Sequence, residues 1–129
     1  MNGAEIKELL KKKHKYGAVR CGGFHSKLEA YVHQILLFRE KAKEIMDIRF
    51  QQTVHLTRAD IHWACDFSFI VVKTGEKMFC EAKGAEDARF SIIKKLYRFY
   101  GKDPLEIWKG HWSSPYLDEI IIPKIEESK

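Results

Sequence analysis

The stretch Cys65–Gly84, CDFSFIVVKTGEKMFCEAKG, constrains this chain more than any other. Two apolar runs, residues 66–73 and 77–83, flank the turn signal Thr74-Gly75 and predict a β-hairpin. Asp66 interrupts the first run; Glu81 and Lys83 interrupt the second. Side chains in a strand alternate between faces, so Glu81 and Lys83 share one. With a two-residue loop at Thr74-Gly75, or a four-residue loop over 73–76, Asp66 lies opposite Lys83. Glu81 is then its diagonal neighbour, roughly 7–8 Å away. A three-residue loop without a bulge would turn Asp66 to the other face. Charged groups are rarely buried without a partner or a metal, so the open end of this hairpin is where chemistry is expected.

The flanking segments supply a frame. Ser26-Lys27-Leu28-Glu29 has the spacing of a helix capping box, and Leu28, Tyr31, Val32, Ile35 and Leu36 continue at helical periodicity to about Lys43. On spacing alone, the Glu29 carboxylate bonds the backbone N–H of Ser26. Residues 47–57 predict a strand with an irregularity at Gln51-Gln52, and residues 58–64 a connection carrying Trp63. After the hairpin, residues 87–100 predict a helix with Phe90, Ile93, Leu96, Tyr97 and Tyr100 as its apolar stripe and Gly101 as its stop. Leu105–Lys109 reads as a further strand. A helix between two β segments predicts a crossover, and hence a mixed sheet containing a parallel pair. A β-like run at 119–122 has no assigned place.

The expected fold is α/β (α+β): a central mixed sheet with a strand hairpin, flanked by helices, in one domain over residues 1–129. Residues 1–15 form a basic helix or arm with Lys11, Lys12, Lys13 and Lys15, residues 16–110 the core, and residues 111–129 a C-terminal extension. Lys and Arg outnumber Asp and Glu by 23 to 18, and this excess suits a polyanionic partner. No apolar run approaches the length of a membrane span, and the basic, amphipathic start lacks a secretory segment, so a cytoplasmic protein without membrane contact is expected. The three cysteines form no CxxC pair and are odd in number, which argues against a disulfide framework. His62, Cys65 and Cys80 make a zinc site conceivable, but small buried hydrophobes are the plainer reading of both cysteines.

Carboxylates on adjacent strands suit a hard divalent cation such as magnesium, with manganese as a substitute. Such an ion polarises a phosphodiester and activates a water. Asp66 and Glu81 are the expected ligands, the backbone carbonyl of Ala82 a further one, and Lys83 the group that orients the water or neutralises charge. Glu29, on a helix packed against the sheet, is the available third carboxylate. The competing reading is an ordinary solvent-facing Asp66–Lys83 salt bridge, since D…ExK also arises by chance.

The order of these elements, a helix with Glu, a strand, the Asp hairpin with ExK, then a basic helix and strand, resembles the PD-(D/E)xK nuclease superfamily. Cys65-Asp66 stands where that superfamily often has Pro-Asp, and Glu81-Ala82-Lys83-Gly84 matches its ExKG form. More narrowly, Tyr16-Gly17-Ala18, residues 24–29 (FHSKLE), Asp66-Phe67 and residues 81–84 look like the phage endonuclease I-type Holliday junction resolvases and related small phage nucleases. The likeness runs from about Lys15 to Trp108 and gives out beyond Lys109. It implies a restriction-endonuclease-like core and a metal-dependent endonuclease acting on branched DNA. It assigns Glu29, Asp66 and Glu81 to metal binding and Lys83 to catalysis. It also implies a homodimer with an exchanged strand or helix, in which Glu29 of one chain meets Asp66, Glu81 and Lys83 of the other. Lys12, Lys13, Lys15, Arg89, Lys94 and Lys95 are the expected DNA-backbone contacts. Two alternatives stay open: a restriction-like, repair or transposition nuclease on other DNA, and a non-catalytic nucleic-acid-binding domain.

Overall fold

The computed structural model describes residues 26–124. The expected N-terminal helix, the Lys12, Lys13 and Lys15 cluster and the motifs at residues 16–25 lie outside them. Among the described residues the fold is α+β. The order is α1 (Lys27–Lys41), β1 (Ile45–His55), β2 (His62–Val71), β3 (Lys77–Ala82), α2 (Ala88–Tyr100), β4 (Leu105–Lys109) and β5 (Tyr116–Ile121). The strands form one sheet in the order β1-β2-β3-β4-β5. β3 and β4 are the parallel pair, joined through α2; the other neighbours are antiparallel. The crossover and the mixed sheet expected from sequence are both present.

Both helices start as their sequences dictate. The Ser26 hydroxyl accepts the Glu29 N–H at 3.0 Å, and an Asp87 carboxylate oxygen accepts the Phe90 N–H at 2.8 Å. Each satisfies a helix-end donor that has no intrahelical partner. α1 stops two residues before Lys43, which takes the left-handed φ of 63° and turns the chain into β1. Gly101 ends α2 for a reason of space: a Cβ there would lie 2.6 Å from the Tyr97 carbonyl oxygen, although its own φ is an ordinary −67°.

The sheet separates two apolar layers. On one face α1 contributes Leu28, Val32 and Leu36, packed on Phe67, Phe69, Met78 and Cys80. On the other, Phe90, Ile93 and Tyr97 of α2 pack on Trp63, Cys65, Phe79, Leu105 and Ile107. β5, inside the expected C-terminal extension, is an integral edge strand that buries Ile121 against β4. Strand β2 begins earlier than expected, at His62, because Trp63 is a core residue of the α2 layer.

β2 breaks the period-two rule at one place. Trp63 and Cys65 belong to the α2 layer, whereas Phe67 and Phe69, at the same parity, belong to the α1 layer. β1 makes the same switch between Ile48, in the α1 layer, and Val54, in the α2 layer, after a separate register shift between Met46 and Arg49. The switch falls at Gln51, whose φ of 48° is left-handed, and at Asp66 across from it in the β1–β2 register. The irregularity expected at Gln51-Gln52 is thus real, and it extends to the facing strand. Cys65 and Cys80 are buried free thiols, as the plainer reading expected.

Candidate metal centre

The polar site lies where β2 and β3 part. Their ladder runs from Ile70↔Lys77 to Phe67↔Cys80 and stops. β3 stays paired with β4 through Ala82↔Trp108, and the Lys83 N–H continues to the Trp108 carbonyl at 2.8 Å. The backbone donors at the parting are satisfied by side chains instead. The Asp66 N–H donates to Glu81 Oε1 at 3.1 Å, and the Ala82 N–H donates to Asp66 Oδ2 at 2.9 Å. Each carboxylate is therefore fixed through one oxygen by the backbone beside the other.

The register differs from expectation by two residues. Phe67↔Cys80 puts Asp66 opposite Glu81, not opposite Lys83. The Val71 N–H bonds the Glu76 carbonyl and the Gly75 N–H bonds the Val71 carbonyl, closing the loop over residues 72–75. Gly75 takes a φ of 73° there. The loop is still even in length, and Asp66, Glu81 and Lys83 line one pocket. The solvent-facing salt bridge does not describe this place, because Asp66 and Glu81 are each only 7% exposed.

Glu29, at 4% exposure, completes the group. With Ser26, Asp66, Glu81, Ala82, Lys83, Gly84 and Ala85 it lines a pocket of about 320 Å³. The capping bond from Glu29 uses its backbone N–H, while its carboxylate Oε2 accepts from Gln51 Nε2 at 3.4 Å. Glu29 thus lines the same pocket as Asp66 and Glu81 of its own chain. The exchanged arrangement, in which it would need those residues from a second chain, is not required to assemble the set.

A second pocket, of about 220 Å³, opens from Asp66, Glu81 and Lys83 toward α2 and is lined by Gln51, Trp63, Asp87, Arg89 and Phe90 among others. The Lys83 ammonium lies 5.2 Å from the centre of the Phe90 ring, a cation–π contact that aims it along this side. Burial pushes the Glu81 carboxyl well above the usual range, and the Asp66 charge pushes it further, with Glu29 adding to it. The Asp66 N–H and Lys83 pull the other way without cancelling the rise. Three buried carboxylates around one pocket thus carry an excess of negative charge that a divalent cation relieves. The donors are all oxygens, which fits magnesium or manganese rather than a thiophilic metal.

The expected DNA contacts divide. Arg89 is exposed and borders the second pocket, and Lys95 is exposed on α2. Lys94 is committed elsewhere. It pairs with Glu86 at 3.0 Å and, more closely, with Glu119 of β5. Burial opposes its charge, but these two carboxylates hold its pKa above the ordinary lysine value. Hydrogen bonds from Lys94, Lys109 and Ser91 bring Glu86 down to about 2. Lys94 is therefore a strut between α2 and β5, since an ammonium held by two carboxylates offers little charge to a phosphate.

Gln51 is the site residue that sequence reasoning did not assign. Its signal was present as the break in alternation at Gln51-Gln52, which was read only as backbone irregularity. Among the described residues no helix is long and apolar enough to cross a membrane. Comparison of the chain with protein-family models, with curated proteins and with solved structures finds no match.

Proposed function

We propose that this chain is a divalent-metal-dependent endodeoxyribonuclease of restriction-endonuclease-like fold, acting as a homodimer on branched DNA such as a four-way junction. The observation that carries the reading is the convergence of Glu29, Asp66 and Glu81 on one pocket, with Lys83 beside them. Those are the four residues that the resemblance to the PD-(D/E)xK nucleases singles out. The choice of branched DNA rests on the narrower likeness to the junction resolvases.

Magnesium, when bound, supplies Lewis-acid polarisation of the scissile phosphate and a lowered pKa for an attacking water. Glu29, Asp66 and Glu81 would hold it, and Ala82, whose N–H is tied to Asp66, would add a backbone oxygen. Lys83 donates to the attacking water or to the phosphate oxygen that gains charge in the transition state. The water oxygen would bond to phosphorus and release a proton to solvent, the bond from phosphorus to the leaving sugar oxygen would break, and that oxygen would take a proton from a solvent water. Arg89, at the mouth of the second pocket, contacts the DNA backbone next to the cut.

The test is incubation of the full chain with labelled four-way junction, linear duplex and single-stranded DNA, with magnesium and with chelator. Paired nicks in the junction, dependent on magnesium and absent from an Asp66→Ala protein, are the expected result. Cleavage confined to linear duplex would move the assignment to a restriction-like or repair nuclease. Binding without cleavage of any substrate would leave a non-catalytic DNA-binding domain.

A further inference from the structure

We propose that the end of the β1–β2 hairpin is a second metal site, for a borderline divalent transition metal such as zinc, built from His55, Asp60 and His62. One ligand atom from each residue lies within 4.8 Å of the others. Ligand atoms on a tetrahedral zinc ion, with bonds of about 2.0–2.2 Å, are roughly 3.3–3.5 Å apart. Small rotations of three exposed side chains close that difference. His55 and His62 are direct cross-strand partners, which brings their rings to 5.9 Å between centroids. Asp60 already reaches His55, with Oδ1 at 3.4 Å from Nδ1.

The backbone that carries them is held. The Leu56 N–H bonds the Ile61 carbonyl at 2.7 Å, and the Thr57 hydroxyl accepts from the N–H groups of Ala59 and Ile61. Leu56 is fully buried and anchors the turn to the core. Asp60 adopts a left-handed φ of 62°, a conformation that Asp tolerates better than most residues. His62 Nδ1 lies 3.2 Å from the Asp60 backbone carbonyl. Donation from Nδ1–H to that oxygen fixes the tautomer and leaves Nε2 as the ligand, the usual outer-shell arrangement of metal-bound histidine.

The chemistry separates this site from the carboxylate centre. Two imidazoles and one carboxylate favour zinc, nickel or copper over magnesium, whereas three carboxylates favour the reverse. His62 and Asp66 are four positions apart on β2, about 13 Å at the rise of a strand. The two ions therefore occupy separate sites. Closing a ring across the hairpin end would also tie β1 to β2 at their last backbone pair, His55↔His62.

Zinc binding to the full chain, with any purification tag removed and magnesium in millimolar excess, tests the proposal by calorimetry. His55→Ala and His62→Ala, both at exposed positions, should each weaken the magnesium-resistant site by about 10–100-fold or more while leaving urea melts in chelator unchanged. Glu81→Gln should leave it intact. Cobalt in place of zinc should give a visible absorption spectrum that His62→Ala abolishes. Absence of zinc binding, full displacement by magnesium, retention in both histidine variants, or loss in Glu81→Gln would each overturn the assignment.

Discussion

Replacing Glu81 with Gln should make the metal-free protein more stable while abolishing cleavage. Glu81 and Asp66 are opposed across the parting strands, where Cβ atoms of facing residues are roughly 4.5–5.5 Å apart. Two unit charges about 5 Å apart at an effective dielectric constant of about 20 repel by roughly 3 kcal/mol. Glutamine keeps the oxygen that accepts the Asp66 N–H and removes the charge. The gain has a ceiling of about 3 kcal/mol, because the wild-type carboxyl relieves the repulsion by taking up a proton. Glu81 has a folded-state pKa raised above its ordinary value of 4.5. Its contribution to stability is thus complete below pH 4.5 and lost as pH rises through the folded-state pKa. The advantage of Glu81→Gln in chelator should therefore widen from pH 5 to pH 8.5, read from urea melts at each pH. Added magnesium should raise the midpoint of the wild type more than that of the variant. A variant less stable than wild type in chelator, or an advantage independent of pH, would refute this electrostatic account.

Lys83→Met should remove the ammonium that lies over Phe90 and lower the cleavage rate by about 100-fold or more, with magnesium affinity kept, as single-turnover assays and calorimetry would show. Arg39 holds the buried Glu106 through Nη1 contacts of 3.1 and 3.3 Å, so Arg39→Met should cost about 3–5 kcal/mol in urea melts. The double variant with Glu106→Gln, which keeps an acceptor for Trp108 Nε1, should recover most of that loss. Arg89→Ala should weaken binding of the junction and reduce the salt dependence by about one phosphate contact, measured by titration at several salt concentrations. Lys94→Ala should leave DNA affinity unchanged; an equal effect at both positions would contradict the division of the α2 basic residues.

The legible parts of the fold were those with strong local signals. Asp87 before an apolar stripe, with Gly101 after it, locates α2 to within a residue, and Leu105–Lys109 matches its strand. The register of the hairpin was legible only up to a slip of two. Alternation has a period of two, so Asp66 opposite Lys83 and Asp66 opposite Glu81 bury the same side chains, and only the loop bonds at Val71 and Gly75 distinguish them. The capping box read at residues 26–29 is half formed: the Glu29 N–H donates to the Ser26 hydroxyl, whereas its carboxylate accepts from Gln51 and lines the pocket. The ion pair of Lys94 is not legible in the sequence because its partner Glu119 lies on β5, a strand that sequence patterns leave without a place. The His55–His62 pairing needed β2 to begin at His62, three residues inside the segment read as a connection.

Where β2 leaves β3, the amides of Asp66 and Ala82 are wired to carboxylate oxygens rather than to carbonyls. That makes them intrinsic gauges of the centre. The proton resonance of an amide bonded to a carboxylate moves when that carboxylate gains a proton or a cation, whereas the carbonyl-bonded amide of Lys83 is a nearby reference. Two backbone signals in a nuclear magnetic resonance titration could thus follow proton and metal loading separately, without a chromophore, a substrate or a single substitution.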